Sequence, residues 1–269
     1  MATLLNVTPD AAALAAATAE RIATLLRHVI ERHGDARLCL TGGDTPRETY
    51  RTLARPPFAT GVPWEQVEFF WGDERHVPPD HPDSNFGMAR EALLRPLAIA
   101  DRQQQRMRAE LPSAAAAAAE YDSLLRDRAA RGRPRFDVML LGLGADAHIA
   151  SLFPGSDWLR APGLGVRGTG SEEVRPQVGV DTPREPGPSS LAAAVRKPDD
   201  GRWRITLTPA ALLDAAAILV ITAGAQKADA VFAALRGPAD PFRWPAQLLR
   251  EAEAVEWWMD REAARLVSA

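Results

Sequence analysis

The sequence predicts an α/β protein in which a mainly parallel β-sheet is flanked by helices. Short apolar segments alternate with longer amphipathic segments along most of the 269 residues, as expected for strands joined by crossover helices. Three of the apolar segments end in glycines or polar residues, and parallel sheets bind their ligands at such strand ends. One large α/β unit accommodates this length, so we expect a single domain over residues 1–269.

The predicted helices have recognisable start and stop signals. The first is an alanine-rich amphipathic segment that ends near Gly34. Pro46 lies in the first turn of the second helix, and Asp83 or Ser84 caps the third. The helices are placed at residues 11–34, 45–54, 84–94, 112–132, 209–215, 225–237 and 261–267.

The predicted strands are short and apolar, and glycine or polar residues follow them. They lie at residues 36–43, 67–73, 136–144, 202–208 and 216–224, and the segment 254–260 leads into the last helix. Residues 160–200 break the alternation, because they are rich in glycine, proline, serine and charged residues. We expect a long surface loop there.

Charge and cysteine content exclude several classes of protein. The formal charge of −3 supplies no positive field for nucleic acid or anionic lipid, so neither is an expected partner. No apolar segment approaches the roughly 20 residues that cross a bilayer, and the residues before Asp10 do not resemble a secretory signal. The single cysteine, Cys39, is expected to be a buried hydrophobe of a cytoplasmic protein.

The first cluster with chemical potential is TGGDTPRE, residues 41–48. Gly42 and Gly43 allow close approach of a phosphate to the backbone, and the positive end of the following helix attracts anions. Thr45 and Glu48 have the spacing of a capping box. A plain strand–turn–helix unit with a good cap explains the motif equally well. Asp44 has to point away from a phosphate or hold a sugar hydroxyl, because two negative charges repel.

The second cluster is WGDERHVPPDHPDSN, residues 71–85. Arg75 follows a strand and has the forked geometry that suits phosphate; the alternative is a surface arginine paired with Asp73 or Glu74. A metal site is a second alternative, but the spacing lacks a helical histidine pair and three prolines separate the candidates. Those candidates are His76, His81, Asp73, Asp80 and Asp83.

The third cluster is FDVMLLGLGADAHIASLFPGS, residues 136–156. GLGADA matches the dinucleotide fingerprint G-x-G-x-x-[G/A], but Pro154 and Gly155 interrupt the long helix that the fingerprint requires. The acidic residue that should follow after about 20 positions would be Glu172 or Glu173, inside the expected loop. The dinucleotide interpretation therefore fails.

Asp146 and His148 remain at the end of this strand. A histidine near its usual pKa can take a proton from water at neutral pH and return it to a leaving group. A neighbouring carboxylate can orient the ring and stabilise its charged form. A single loop histidine is more often structural, and its position beside two other polar strand ends is what favours catalysis.

Together, the segments TGGDTP, WGDERHVPPDHPDSNFGMA, DVMLLGLGADAHIASLFPGS and RITLTPAAL resemble the 6-phosphogluconolactonases over nearly the whole chain. The resemblance implies one α/β domain, similar in fold to glucosamine-6-phosphate deaminases, that opens a phosphorylated lactone without metal or cofactor. It implies His148 as general base, and Gly42, Gly43, Arg75 and Lys227 around the phosphate.

The expected site includes further residues. Arg204 is an additional candidate for the anion, Asn85 for a loop contact or a hydroxyl, and the backbone N–H groups of residues 142–148 for an oxyanion. The expected catalytic residues are His148 and Asp146. The expected substrate-binding residues are Gly42, Gly43, Asp44, Thr45, Asp73, Arg75, Asn85, Gly144, Arg204 and Lys227, and we expect a monomer with no metal and no cofactor.

The sequence departs from the family pattern at several positions. Asp44 stands where serine is usual, and Ile149 stands where threonine is frequent. Ala147 stands where glycine is usual, which introduces strain of about 1 kcal/mol if the position has positive φ. The segment from residue 160 to about 190 is longer than expected for the family. Two interpretations of the extra length remain, an extra lid or a surface loop without such a role.

Three alternatives remain open. An isomerase or deaminase of the same fold is one, although SLFPG replaces the part of the deaminase motif that carries its glutamate. A sugar-phosphate sensor is the second, although no basic helix-turn-helix domain is evident. The third is a relic that binds 6-phosphogluconate without turnover.

Overall fold

The structure is a computed structural model and describes residues 2–128, 133, 135–160 and 190–267. Its strands are β1 (Ala2–Thr8), β2 (Ala36–Leu40), β3 (Val67–Trp71), β4 (Asp73–Arg75), β5 (Phe136–Leu141), β6 (Ala192–Arg196), β7 (Trp203–Leu207), β8 (Ala215–Thr222) and β9 (Ala254–Asp260). Its helices are α1 (Ala11–His33), α2 (Asp44–Leu53), α3 (Phe58–Gly61), α4 (Asn85–Ala89), α5 (Ala114–Asp127), α6 (Pro209–Leu212), α7 (Ala228–Leu235) and α8 (Arg261–Ala264). Shorter helical segments of other types lie at Trp64–Gln66, Arg90–Leu94, Asp101–Gln103, Asp157–Arg160, Ala225–Lys227 and Pro245–Glu251.

Six strands form one sheet in the order β1-β9-β8-β5-β2-β3, and every neighbouring pair is parallel. The prediction of an α/β fold with a mainly parallel sheet is confirmed. The carboxyl ends of β5, β2 and β3 lie side by side at one edge, since these strands are neighbours. The three polar clusters of the sequence follow these three strands.

Helices cover both faces of the sheet. Alternate residues of each strand point to opposite faces, so Leu38 and Leu40 pack with α1 and α2, whereas Cys39 packs with α5 and α7 on the other face. Cys39 is fully buried, as predicted, and burial raises the pKa of its thiol well above the usual value. Each face therefore has its own apolar layer.

A second, antiparallel sheet in the order β4-β7-β6 lies beyond the end of β3. Gly72 separates β3 from β4, so the single strand predicted over 67–73 is two strands in two sheets. β7 is a strand, as predicted, but it belongs to this antiparallel sheet. Its pairing with β4 places Arg204 opposite Arg75.

The sequence-based assignment missed two further strands. Ala2–Thr8 forms an edge strand that was not predicted, because its partner β9 lies about 250 residues away along the chain. Ala192–Arg196 forms β6 inside the segment predicted as a loop over 160–200. Residues 161–189 of that segment, and with them any lid, lie outside the described residues.

The limits of α1 agree with the prediction. Asp10 accepts a hydrogen bond from the Ala13 N–H at 2.8 Å, and Gly34 ends the helix at φ 83°. No helix in the described ranges is long and apolar enough to cross a membrane.

Candidate active site

The three polar clusters meet at the carboxyl edge of the large sheet. A Cβ on Gly42 would lie 1.8 Å from Asn85 Oδ1, so only glycine allows the amide of Asn85 to pack on this turn. A Cβ on Gly142 would lie 3.8 Å from the Gly42 carbonyl oxygen. The ends of β2 and β5 and the start of α4 are therefore in contact.

The turn between β2 and α2 leaves the start of the helix open. Gly43 is the N-cap residue at φ 107°, and no side chain accepts a hydrogen bond there. The capping box predicted for Thr45 and Glu48 is wrong, because α2 already begins at Asp44 and Glu48 pairs with Arg51 instead. Open N–H groups at a helix start favour an anion.

Asp44 does not aim its charge into this turn. Its side chain is 91% exposed and pairs with Arg47 at 2.9 Å. The ion pair reduces the repulsion that an isolated carboxylate would exert on a nearby anion. The first of the two arrangements considered for Asp44, in which it points away, is the one present.

The second cluster is organised around a buried carboxylate. Glu74 is 2% exposed and accepts hydrogen bonds from the N–H groups of Arg75, Asn85 and Phe86 at 2.7, 2.7 and 2.8 Å, and from Ser84 Oγ at 3.0 Å. Burial raises the pKa of Glu74, and these donors oppose the shift. Glu74 thereby fixes the start of α4.

Asp73 and Asn85 lie inside the protein and bind each other. Asn85 Nδ2 donates to Asp73 Oδ1 at 3.0 Å and to the Asp73 backbone oxygen at 2.9 Å. Both residues are buried. The loop-holding role expected for Asn85 fits these contacts better than a direct contact with a hydroxyl.

Arg75 and Arg204 are adjacent cations. They face each other across β4 and β7, and neither has a carboxylate partner within 4 Å among the described residues. Arg75 Nη1 donates to the Asp83 backbone oxygen at 2.6 Å. Burial lowers the pKa of Arg204, and the charge of Arg75 lowers it further. The charges of Asp73 and Asp200 oppose part of this shift. Two adjacent guanidinium groups without a carboxylate within 4 Å favour an anion between them.

His148 and Asp146 form a close pair in the loop after β5. Asp146 Oδ1 lies 2.5 Å from His148 Nδ1, and the side chains of Asp146 and His148 are 49% and 30% exposed. The histidine ring packs on Phe153 at 4.9 Å between centroids. Nε2 of His148 makes no hydrogen bond to the residues that the structure describes.

Asp146 is held in its ionised form. Partial burial would raise the pKa of its carboxyl, but the hydrogen bond and the charge of His148 outweigh that effect and lower it. The carboxylate is thus present over the pH range in which a histidine titrates. It orients the ring so that Nε2 is the nitrogen that can accept a proton.

The loop backbone constrains where an oxyanion can bind. The Gly144 N–H donates to the His148 carbonyl oxygen at 2.9 Å, and a Cβ on Gly144 would lie 2.1 Å from His148 Nδ1. The Gly144 amide is therefore already used within the loop. The amides of Leu143 and Ala145 make no hydrogen bond to any part of the chain that is described, so they remain available.

Ala147 has φ 61°, the conformation that glycine adopts without strain. Its carbonyl oxygen accepts a hydrogen bond from the Ala246 N–H at 2.9 Å, and its side chain is fully buried. The loop is therefore not rebuilt to accommodate alanine, and the residue tolerates the conformation that its position demands.

No helix follows the glycines of the third cluster within the described residues up to 160, apart from the single turn at Asp157–Arg160. The long helix that the dinucleotide fingerprint requires is missing from this place. The rejection of that fingerprint is therefore confirmed.

Lys227 reaches the same loop from the end of β8. Its Nζ donates to the Leu143 carbonyl oxygen at 2.6 Å. Burial lowers the pKa of Lys227, and the negative charge of Asp146 opposes part of that shift. The turn that carries Lys227 is tied down by Asp260, which accepts a hydrogen bond from the Gly224 N–H at 3.0 Å.

The histidines of the second cluster do not converge on a metal site. His76 Nε2 lies 3.0 Å from the Leu111 carbonyl oxygen, and His81 Nδ1 accepts from the Asp83 N–H at 3.1 Å. Within the ranges that the structure covers, no three His, Cys, Asp or Glu side chains are grouped to hold a metal ion.

Sequence reasoning missed the buried residues whose hydrogen bonds fix the site residues in place. Ser151 Oγ donates to Asp73 at 2.6 Å, and the Tyr50 hydroxyl bonds both the N–H and the C=O of Thr41. From the sequence, Glu74 is no more than a possible ion-pair partner. A polar residue inside a motif that is otherwise apolar, as Ser151 is in IASLF, is the signal that was available.

Comparisons with known proteins agree with this architecture. Residues 9–258 match the model of the family described as glucosamine-6-phosphate isomerases/6-phosphogluconolactonase. A 6-phosphogluconolactonase of Nostoc sp. is 33% identical over 266 residues, 98% of each chain. The solved 6-phosphogluconolactonase of Trypanosoma brucei superposes with a TM-score of 0.80 at 26% identity, over 99% of each chain.

A solved monomeric glucosamine-6-phosphate deaminase also superposes, with a TM-score of 0.76 over 98% of this chain and 100% of the other. Its identity of 20% establishes likeness of fold alone. The fold class predicted from the resemblance is thus confirmed by both kinds of structure. The chain belongs to the glucosamine-6-phosphate isomerase/6-phosphogluconolactonase family.

Proposed function

We propose that the chain hydrolyses 6-phosphoglucono-1,5-lactone to 6-phosphogluconate. The observation that carries this proposal is the His148–Asp146 pair, which leaves Nε2 of a half-buried imidazole without a partner among the described residues, beside the ends of β2 and β5. The likeness to the Nostoc 6-phosphogluconolactonase over almost the whole of both chains supports it. A lactone needs a base for water and an acid for the ring oxygen, and one histidine supplies both.

In the proposed reaction His148 Nε2 takes a proton from a water molecule while the water oxygen attacks the lactone carbonyl carbon. The carbonyl becomes a tetrahedral oxyanion, for which the Leu143 and Ala145 amides are the proposed donors. When the bond between this carbon and the ring oxygen breaks, the imidazolium returns its proton to that oxygen. The products are a carboxylic acid and the freed hydroxyl, and the histidine is neutral again.

Phosphate binding is proposed for the cations and open amides around the same edge. Arg75 and Arg204 lack carboxylate partners among the described residues, and the start of α2 has no side-chain cap. Lys227 supplies a further positive charge next to the Asp146–His148 loop. Contacts with the remote phosphate would place the lactone carbonyl against the attacking water.

Each step of this mechanism is a proton transfer or an addition that side chains can perform, so we propose that no metal or cofactor takes part. We further propose that the enzyme acts as a cytoplasmic monomer on a small sugar-phosphate lactone, without nucleic acid or membrane partners.

The test is turnover by the purified chain. Freshly generated 6-phosphogluconolactone is followed against its spontaneous hydrolysis, and glucosamine 6-phosphate is followed for ammonia release. Lactone hydrolysis far above the spontaneous rate without ammonia release is expected. Ammonia release would favour the deaminase instead, and binding of 6-phosphogluconate without any acceleration would indicate a relic.

A further inference from the structure

Ser151 lies three residues after His148 and is 1% exposed. Its Oγ donates to Asp73 Oδ2 at 2.6 Å, and its N–H donates to Thr206 Oγ1 at 3.2 Å. Asp73 lies on β4 and Thr206 on β7, so one residue ties the histidine loop to two strands of the small sheet. Because Ser151 is buried and its hydroxyl is bonded to a carboxylate, it does not have the environment of an exposed nucleophilic serine.

A further hydrogen bond links Asp73 to the rest of the site. The other oxygen of this carboxylate accepts from Asn85 Nδ2 at 3.0 Å, and Asn85 packs on Gly42. Asp73 has no cation within 4 Å among the residues that the structure includes, although its charge acts on the more distant Arg204. A buried carboxylate without a contacting cation depends on its hydrogen bonds, and the bond from Ser151 is the shorter of the two from side chains.

The histidine loop needs such external ties because its backbone is strained. Ala147 and Ala150, on either side of His148, have φ 61° and φ 48°, a region that the Cβ of alanine disfavours. Strained residues keep their conformation only where surrounding contacts impose it. The Ala246 N–H holds the loop at Ala147, and Ser151 holds it on the other side of His148.

We propose that Ser151 is a positioning residue for the reaction. Acting through Asp73 and Thr206, it holds the loop in the strained conformation that directs His148 Nε2 toward the lactone carbonyl. The inference rests on the proposed function, because it takes His148 as the base. It assigns Ser151 no contact with the substrate.

The test is the Ser151→Ala variant, with kcat and KM measured separately on 6-phosphogluconolactone. Displacing a base by a fraction of an ångström to about 1 Å lowers kcat by roughly 10- to 100-fold, whereas KM, set by remote phosphate contacts, stays within about threefold. The folded fraction at the assay temperature is measured by circular dichroism. Ser156→Ala is the matched control, since Ser156 Oγ makes no hydrogen bond among the described residues.

Thr206→Val removes the second tie while keeping the shape of the side chain. It is expected to lower kcat in the same way. The fold-decrease in kcat of the Ser151→Ala/Thr206→Val double variant should be smaller than the product of the two single fold-decreases, because both substitutions release the same loop. Three results would overturn the inference. They are a normal kcat in folded Ser151→Ala, a rise in its KM alone, and a double variant whose fold-decrease in kcat equals the product of the two single fold-decreases. If Ser151→Ala does not fold, normal kcat in Thr206→Val overturns it.

The wild type separates this inference from the proposed function. If the wild type does not accelerate lactone hydrolysis, the proposed function fails and the inference fails with it. If the wild type is active and the two variants are equally active, only the role of Ser151 is refuted.

Discussion

His148 is presented by a loop whose backbone is unusual on both sides of it. Ala147 is buried at φ 61° where the family pattern has glycine. Left-handed alanine costs about 1–2 kcal/mol, and the burial of its methyl group offsets part of that strain. We therefore expect the alanine to be tolerated at this position.

Ala147→Gly is expected to leave both stability and turnover nearly unchanged. The variant relieves strain of about 1–2 kcal/mol but loses a buried methyl worth about 0.8 kcal/mol, so the free energy of unfolding in urea should stay within about 1 kcal/mol of the wild type. Ala147→Val is the contrast, because a β-branched residue is a strong outlier at positive φ. A loss above about 2 kcal/mol in the glycine variant would mean that the buried methyl contributes more to stability than the strained backbone removes.

Asp146→Asn is expected to weaken the base. The hydrogen bond and the charge of His148 lower the pKa of Asp146, so its carboxylate is charged, and a neighbouring negative charge favours a protonated base. Without that charge the base stays unprotonated to lower pH, so the acid limb of the kcat/KM–pH profile shifts to lower pH. The plateau falls on the order of 10²-fold, because the base is weaker and less well oriented. An acid limb that moves to higher pH would contradict this role of Asp146.

For individual residues, the sequence indicates the candidate catalytic side chains more readily than the side chains that position them. The local pattern predicts that Asp146 lies beside His148, and the structure pairs them. The resemblance raises positive φ at Ala147 only as one of two alternatives, and the structure has it. The contacts of Ser151 and Glu74 could not be predicted, because their partners are set by tertiary packing. Ser151 and Asp73 are 78 positions apart, and no local spacing relates them.

Two tyrosines fix the strand ends from opposite faces of the sheet. The Tyr50 hydroxyl, from α2, accepts from the Thr41 N–H at 2.9 Å and donates to the Thr41 carbonyl oxygen at 2.8 Å. The Tyr121 hydroxyl, from α5, makes the same pair of bonds with Trp71 at 3.0 and 3.1 Å. Each hydroxyl thus satisfies backbone groups where a strand gives way to a site loop.

Tyr50→Phe and Tyr121→Phe are each expected to destabilise the protein by about 2 kcal/mol, because each leaves two buried backbone groups without a partner. Urea unfolding measures the effect. Thr60→Ala, at an exposed position of α3, is the control and should change stability by less than about 0.5 kcal/mol. Values for the tyrosine variants as small as the control would show that the chain satisfies these backbone groups in another way.

Elements with a strong local signal were predicted, and elements that depend on distant partners were not. α1 has a cap, a periodic apolar face and a terminal glycine, and its limits agree with the structure. β1 and β6 lack a strong local signal, and their pairing with β9 and β7 makes them strands. The prediction of one domain over residues 1–269 stays a prediction.

The distribution of charge in the whole molecule points to a site for a phosphate monoester. The protein is slightly acidic overall. Arg75 and Arg204 are among the described arginines that have no carboxylate within 4 Å, and they lie side by side near the edge where the three strands end. The two guanidinium groups repel each other, and the charges of Asp73 and Asp200 offset part of that effect on Arg204. A bound dianion would offset more of it.

Saturating 6-phosphogluconate is expected to raise the unfolding temperature. A ligand at about 100 times its Kd stabilises the folded state by about 2.7 kcal/mol, which for a chain of this size corresponds to roughly 5–10 °C. Gluconate, which has no phosphate, should give little shift. Arg204→Met should lose most of the stabilisation, whereas Arg202→Met, which removes an exposed arginine paired with Asp83 and Asp200, should keep it. Equal rises in unfolding temperature in both variants would mean that the phosphate binds at another place.

The most direct measurement is hydrolysis of 6-phosphogluconolactone by the wild type and by His148→Ala, each corrected for the spontaneous rate. His28→Ala, on the exposed face of α1, controls for the loss of a histidine. Wild-type rates far above background are expected, unchanged in His28→Ala and reduced by about 10²–10⁴-fold in folded His148→Ala. A His148→Ala variant as active as the wild type would contradict the assignment of His148 as the base.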